Sequence, residues 1–169
     1  MQIIFETPRL MLREFTISDT GFIKELNSDP EVLKYLHEPL VETNGQALHV
    51  ITNIILPQYK NKLGRWAIHT KNNNECIGWC GLKYLPESDE TDLGYRLMQS
   101  FWGKGYATEA ARHTLEYGFK MLHIKKITGR AHIENTASIK ILEKIGMQFQ
   151  KEEIVDACPV KTYTRNNPY

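Results

Sequence analysis

The chain has 169 residues, 41% of them hydrophobic and 24% charged, with a formal net charge of +1. That length suits a single domain over residues 1–169 with a sizeable core, and the near-neutral balance argues against a general affinity for nucleic acid, anionic membranes or strongly acidic partners. Three cysteines, Cys76, Cys80 and Cys158, with no Cys-x-x-Cys pair, argue against a disulfide framework or a zinc ribbon.

Residues 1–6 lack a basic region followed by a long apolar run, so they do not read as a signal peptide. No apolar run approaches the roughly 20 residues needed to span a bilayer, and the expectation is a cytoplasmic protein. Residues 5–15, with Leu10 and Leu12, read as one opening strand. Ser18-Asp19 is a cap signal for a short helix to about Asn27, with Phe22, Ile23 and Leu26 on one face. Asp29-Pro30 predicts a second short helical piece ending near Tyr35-Leu36, because proline suits a first helical position. Residues 42–59 carry Ala47, Val50, Ile51, Ile54 and Ile55 at helical spacing, and Pro57 ends or kinks that helix. His37 and His49 fall here and read as surface or packing residues.

Residues 65–70 and 76–85 read as two strands joined by a Lys71-Asn72-Asn73-Asn74 turn. Cys76 and Cys80 in the second strand read as small buried apolar residues. Gly78 and Gly81 predict a bulge or a close backbone approach. Residues 87–90 form an acidic turn, read either as a solvated loop or as an attraction for a cationic amine. Residues 91–98 are a strand, and residues 106–122 a helix with Ala107, Ala110, Ala111, Leu115, Phe119 and Leu122 on one stripe. Glu109 complements the helix dipole in its first turn, and Gly118 implies close packing. Residues 125–133 read as a strand. Asn135 caps a helix over 136–145 that Gly146 stops, and 148–153 with 160–164 form a final hairpin. The single strand–helix–strand crossover over 91–133 implies one parallel pair in an otherwise antiparallel sheet. The expected fold class is therefore mixed α/β (α+β).

Between that strand and helix stands Trp-Gly-Lys-Gly-Tyr-Ala-Thr, residues 102–108. A helix N-terminus offers backbone N–H groups without internal partners plus roughly half a positive charge, and Gly103 and Gly105 let a phosphate approach the main chain. The turn fails the ATP-loop pattern, since Lys104 is followed by Gly105, and fits the dinucleotide fingerprint poorly because Thr108 holds its last position. On spacing alone it is either a phosphate or pyrophosphate cradle or a plain tight connection.

The run 97–107, with Asn135 and Gly146 downstream, resembles the GNAT superfamily of N-acetyltransferases, whose pyrophosphate loop reads Arg/Gln-x-x-Gly-x-Gly/Ala. Here those six positions are Trp102, Gly103, Lys104, Gly105, Tyr106 and Ala107. Tryptophan in place of Arg or Gln is similar to the branch of ribosomal-protein N-terminal acetyltransferases. The resemblance extends from Glu6-Thr7-Pro8-Arg9-Leu10-Met11-Leu12-Arg13 to about Phe149. It implies that coenzyme A binds at Leu97, Met98, Trp102, Gly103, Lys104, Gly105, Tyr106, Ala107, Thr108, Asn135 and Ser138. It also implies that the parallel strands splay around the pantetheine arm, and that residues 18–59 wall the acceptor cleft.

Amide formation from a thioester needs a neutral amine, a stabilised oxyanion and protonation of the leaving thiolate. The resemblance implies the Leu97 backbone N–H as oxyanion donor. It implies Asp92 as base, where the branch usually carries Glu, with Glu90 as substitute. The bland reading of Asp92 is a surface strand residue. The tyrosine that many relatives place seven residues after the asparagine is Leu142 here, so that acid is absent; Ser138 matches the serine of the ribosomal branch. Ser138 and Asn135 also read as a first-turn residue and a helix cap with no further role. His132-x-Glu134 is half of a zinc-deaminase signature without its Pro-Cys-x-x-Cys, so no metal is expected.

These residues predict acetyl transfer from acetyl-CoA to a primary amine, either a protein N-terminus or a small molecule, by direct attack in a ternary complex. The alternative is a non-catalytic acyl-CoA-binding or sensing domain of the same fold. A nucleotide-phosphate site is the third reading. The resemblance implies a monomer or a homodimer through the final hairpin or the sheet edge.

Overall fold

The computed structural model describes residues 2–169. The strands are β1 (Ile3–Glu6), β2 (Leu10–Glu14), β3 (Gly64–Thr70), β4 (Cys76–Leu85), β5 (Glu90–Leu97), β6 (Lys126–His132), β7 (Gln148–Val155) and β8 (Cys158–Asn166). The helices are α1 (Thr20–Asn27), α2 (Asn44–His49), α3 (Tyr106–Lys120) and α4 (Thr136–Lys144). The strands form one 8-stranded sheet in the order β1-β2-β3-β4-β5-β6-β8-β7. Among the described residues, only β5 and β6 pair in parallel; α3 is the crossover between them. The expected mixed sheet is observed.

Three local expectations are corrected. The opening segment is a hairpin and not one strand. Thr7 N–H donates to Leu10 C=O at 2.9 Å and Leu10 N–H to Thr7 Oγ1 at 3.0 Å, closing a turn around Pro8, which has no N–H to continue a ladder. Residues 29–36 make successive turns and no regular helix, with Leu33 N–H on Asp29 C=O at 3.3 Å and Leu36 N–H on Leu33 C=O at 3.0 Å. The predicted helix over 42–59 is α2, which a wider π-helical stretch (Val50–Ile55) and then a 3-10 stretch (Leu56–Asn61) continue. Pro57 sits at the start of the last piece, where its missing donor is harmless.

The sheet buries both faces. On one, Ala110, Ala111, Leu115 and Phe119 of α3 and Ile139 and Leu142 of α4 pack on Leu82, Leu93 and Ile127. On the other, Ile23 and Leu26 of α1, Ala47 of α2, and Ile51 and Ile55 cover Phe15, Ala67 and Trp79. Each fully buried Leu or Ile contributes about 1.5–3 kcal/mol. Gly118 belongs to this packing: a Cβ there would lie 2.8 Å from Leu82 Cδ1 and 2.9 Å from Ile127 Cδ1. Among the described residues, no helix is long and apolar enough to cross a membrane.

Candidate active site

The site starts where the parallel pair comes apart. β5 and β6 are in register only at Thr91↔Ile127, Asp92↔Thr128 and Leu93↔Gly129. Beyond them β5 stays with β4, through Gly94↔Gly81 to Leu97↔Gly78, and β6 stays with β8, through Arg130↔Thr162 to His132↔Val160. Met98 N–H donates to Ile77 C=O at 2.9 Å. Antiparallel ladders alternate, so the Leu97 N–H and C=O face the opposite way, into the gap that β6 has left. The Leu97 carbonyl accepts the Trp102 indole N–H at 3.0 Å. Its amide points into the opening, while its side chain is buried.

Trp102 leads into the glycine turn. Gly103 and Gly105 adopt φ of 74° and 80°, a left-handed backbone that other residues adopt only with strain. Gly105 is the N-cap of α3, and no side chain caps that helix. The first helical bond runs from Glu109 N–H to Gly105 C=O at 3.0 Å, so the amides of Tyr106, Ala107 and Thr108 lie ahead of the ladder. This arrangement fits a pyrophosphate.

A residue without an assigned role in the sequence reading holds this turn in place. Arg9, between β1 and β2, donates through Nη1 to Lys104 C=O at 3.0 Å and through Nε to Glu109 Oε2 at 2.6 Å. Its guanidinium lies 4.6 Å from the Tyr106 ring centre. Glu109 also accepts from Thr7 Oγ1 at 2.6 Å and Arg9 N–H at 2.9 Å. Burial raises the pKa of the Glu109 carboxyl, but these hydrogen bonds outweigh it and hold the pKa below the usual value. Glu109 is thus a tether as well as a dipole partner. The sign of this in the sequence was the Thr7-Pro8-Arg9 run.

Ionisable groups flank the seam. Arg130 of β6 meets Glu90 Oε2 at 2.6 Å, Asp92 Oδ1 at 3.3 Å and Glu153 Oε2 at 3.8 Å. Burial raises the pKa of Asp92 to about 7, with the Glu90 charge adding and Arg130 opposing. Glu90 goes the other way: its hydrogen bond to Arg130 holds it below the usual carboxylate range, which makes it a weak base.

Across the seam, Tyr95 Oη lies 2.5 Å from Ser138 Oγ, a hydrogen bond in which either hydroxyl can donate. Burial raises the Tyr95 pKa to about 12, so its phenol is protonated near neutral pH. Asn135 Oδ1 accepts Ser138 N–H at 3.2 Å, which leaves the Asn135 NH₂ uncommitted to the cap. Leu142 is 1% exposed and packs in the core. A phenol therefore stands beside Ser138 after all, supplied by β5 and not by α4. No local spacing relates Tyr95 to Ser138, so the sequence reading missed it.

A cleft of about 810 Å³ joins these pieces, lined among others by Asp92, Tyr95, Leu97, Trp102, Asn135 and Ser138. Met98, beside Leu97, is half-buried. An acetyltransferase (GNAT) domain model matches residues 9–148. The chain belongs to the GNAT acetyltransferase family. It is 35% identical to an uncharacterized N-acetyltransferase p20 of Bacillus licheniformis, over 88% of this chain and 83% of that one. Among solved structures, a ribosomal L7/L12 alpha-N-protein acetyltransferase in complex with coenzyme A superimposes with a TM-score of 0.82 at 20% identity, covering 98% of both chains. A Vibrio cholerae spermidine N-acetyltransferase in complex with CoA and spermine superimposes with a TM-score of 0.81 at 19% identity, covering 95% of this chain and 97% of that one.

In this GNAT chain the segment 31–38 also lines the cleft. Glu38 pairs with Arg96 at 3.0 Å, and Tyr35 packs on the His132 ring at 5.2 Å. His132 Nδ1 also accepts Glu134 N–H at 3.1 Å. Among the described residues, no group of three or more His, Cys, Asp or Glu can hold a metal. Burial raises the thiols of Cys76 and Cys80 to about 12, and Cys80 accepts from Thr114 Oγ1 at 3.3 Å. Cys80 is fully buried as expected, whereas Cys76 is only half-buried.

Proposed function

We propose that this GNAT protein transfers an acetyl group from acetyl-CoA to a primary amine by direct attack in a ternary complex. The observation that carries the reading is the Leu97 amide facing the splayed gap, followed at once by an uncapped glycine turn into α3. Bound acetyl-CoA supplies the activated acyl group and a thiolate leaving group. The amides at residues 103–108 receive the pyrophosphate, and the Asn135 NH₂ with Ser138 lines the path of the pantetheine arm. The Leu97 N–H stabilises negative charge on the acyl oxygen.

Asp92, with a pKa near neutrality, is the base that receives the amine proton, directly or through a water. Tyr95, through Ser138 or directly, gives a proton to the leaving thiolate, and the phenolate left behind regains one from solvent. Cys76 and Cys80 take no part, because a thiol with a pKa near 12 holds almost no thiolate at neutral pH.

The test is calorimetric titration with acetyl-CoA, with ATP and NAD as controls, on the wild type and Gly105→Val, followed by an amine screen. Acetyl-CoA binding lost in the variant, with turnover on some amine, supports the reading. Binding without turnover on any amine supports the acyl-CoA-sensing alternative. A folded protein that ignores acetyl-CoA sinks both.

A further inference from the structure

Among the described residues, one cation within the cleft wall has no ion-paired carboxylate of its own, its nearest anion being Glu38, which is already paired with Arg96. Arg130 is matched by Glu90 and Asp92. Arg96 is matched by Glu38, and its Nη1 donates to Asn27 Oδ1 at 2.7 Å. Lys34, Lys140 and Lys144 are exposed, and so is Glu31 at the rim. Arg65 of β3 also lines this cleft. Yet among the described residues no carboxylate pairs with its guanidinium and no side-chain or backbone acceptor takes its N–H groups. It lies 4.6 Å from the Trp79 ring centre, with the Arg96 guanidinium 5.4 Å from the same ring. Burial first, and Arg96 second, lower the Arg65 pKa to about 10. A half-buried guanidinium with no carboxylate of its own, beside a second guanidinium, is an arrangement that an anion entering the cleft would relieve.

The sheet register puts this group on the same face as Asp92. Arg65, Gly81 and Gly94 stand opposite one another on three adjacent strands. Neither glycine leaves open space: a Cβ on Gly81 would lie 1.7 Å from the Gly64 carbonyl oxygen, so β3 and β4 approach closely beside Arg65. Trp79 covers the other: a Cβ on Gly94 would come within 3.3 Å of the tip of its ring. One ring thus touches both the Arg65 guanidinium and Gly94, the residue between Asp92 and Arg96. Alternation along β5 puts Asp92, Gly94 and Arg96 on one face, so this cation and the proposed base share that face of the sheet.

We propose that Arg65 binds an anionic group of the acceptor, and that the acceptor is a small molecule whose primary amine stands close to a carboxylate, as in a free amino acid, and not a polyamine. This rests on the acetyltransferase reading and names its substrate class. Arg65 fixes the acid end by a charge-assisted bond while the amine lies toward Asp92. A polyamine would add positive charge beside Arg65.

The test compares kcat/KM on wild type, Arg65→Gln and Arg65→Lys for free amino acids, their neutral amides, aminoalkyl phosphonates, spermidine and short peptides, with thermal melts to check folding. A charge-assisted bond predicts a preference for acids over matching amides of about tenfold to a hundredfold. Arg65→Gln should bring that ratio close to one, mainly through KM, and Arg65→Lys should restore part of it. A wild-type preference for phosphonates over carboxylates identifies the anion as a phosphate and overturns the carboxylate assignment. Turnover best on spermidine or peptides, or an acid-to-amide ratio that Arg65→Gln leaves intact, overturns the proposal while acetyl transfer stands. No acetyl-CoA binding and no turnover on any amine removes the parent reading and the proposal with it.

Discussion

Arg9 Nε stands 2.6 Å from Glu109 Oε2, tying the turn between the first two strands to the first turn of the helix that opens the cleft. The two residues are 100 apart in sequence. Arg9 is 46% exposed on its side chain, so the ion pair itself adds less than about 1 kcal/mol to stability. Its larger effect is on Lys104 C=O and hence on the conformation of the glycine turn. Arg9→Ala should weaken acetyl-CoA binding severalfold while lowering Tm by only a few degrees, as calorimetry and a thermal melt will read. Equal, large losses in both would mean that Arg9 serves the fold alone.

Asp92 gives two pH signatures. If it is the base, kcat/KM rises with pH through an apparent pKa near 7. Asp92→Asn should remove that limb and cut the rate about 10²–10⁴-fold, leaving only the titration of the acceptor amine at higher pH. The stability sign is opposite to that of an ordinary ion-paired carboxylate. Because the folded pKa exceeds the unfolded value, the native state holds a proton between about pH 4 and 7 that the unfolded chain has lost. Stability therefore falls as pH rises through that window. Asp92→Asn should gain on wild type between pH 4 and 8 by on the order of 2 kcal/mol, a value discounted because the side chain is 29% exposed. Denaturant melts at both pH values measure it.

Tyr95 and Ser138 act as one unit if they deliver a proton together. Tyr95→Phe and Ser138→Ala should each lower kcat roughly 10–100-fold, and the double variant should lose little more than either single one. Fully multiplicative losses would mean that the two hydroxyls serve separate steps.

Gly118 tests packing against propensity. Alanine in a helix interior gains about 1 kcal/mol over glycine. A Cβ here would press Leu82 and Ile127 to below 3 Å, and overpacking of that kind costs about 1–3 kcal/mol. The net expectation for Gly118→Ala is a loss of up to about 2 kcal/mol in equilibrium unfolding. A gain would show that the two methyl groups move aside freely.

What the sequence made legible follows from range. The turn at 102–108, the cap at Asn135 and the stripe on α3 rest on neighbours within a few residues, and all three stand where their spacing puts them. The Thr7 turn was missed because the apolar run over 5–15 hid a proline break. The π-helical stretch was missed because its apolar spacing is close to that of an α-helix. Arg9–Glu109 and Tyr95–Ser138 are meetings across the sheet with no local signal. The lack of a carboxylate for Arg65 is legible only once Arg96 and Arg130 have had their partners counted.

The three rungs between β5 and β6 have a mechanical consequence. β1 to β5 form one continuous plate and β6, β8 and β7 another, and among the described residues three residue pairs are the only sheet pairing between them. A ligand lying along the opening acts as a wedge glued to both plates. It makes good the rungs that the backbone leaves out. The stability it adds by mass action should therefore appear first as slower amide hydrogen exchange along that seam, at Tyr95 and Leu97, before it reaches the distant edges at β1 and β7.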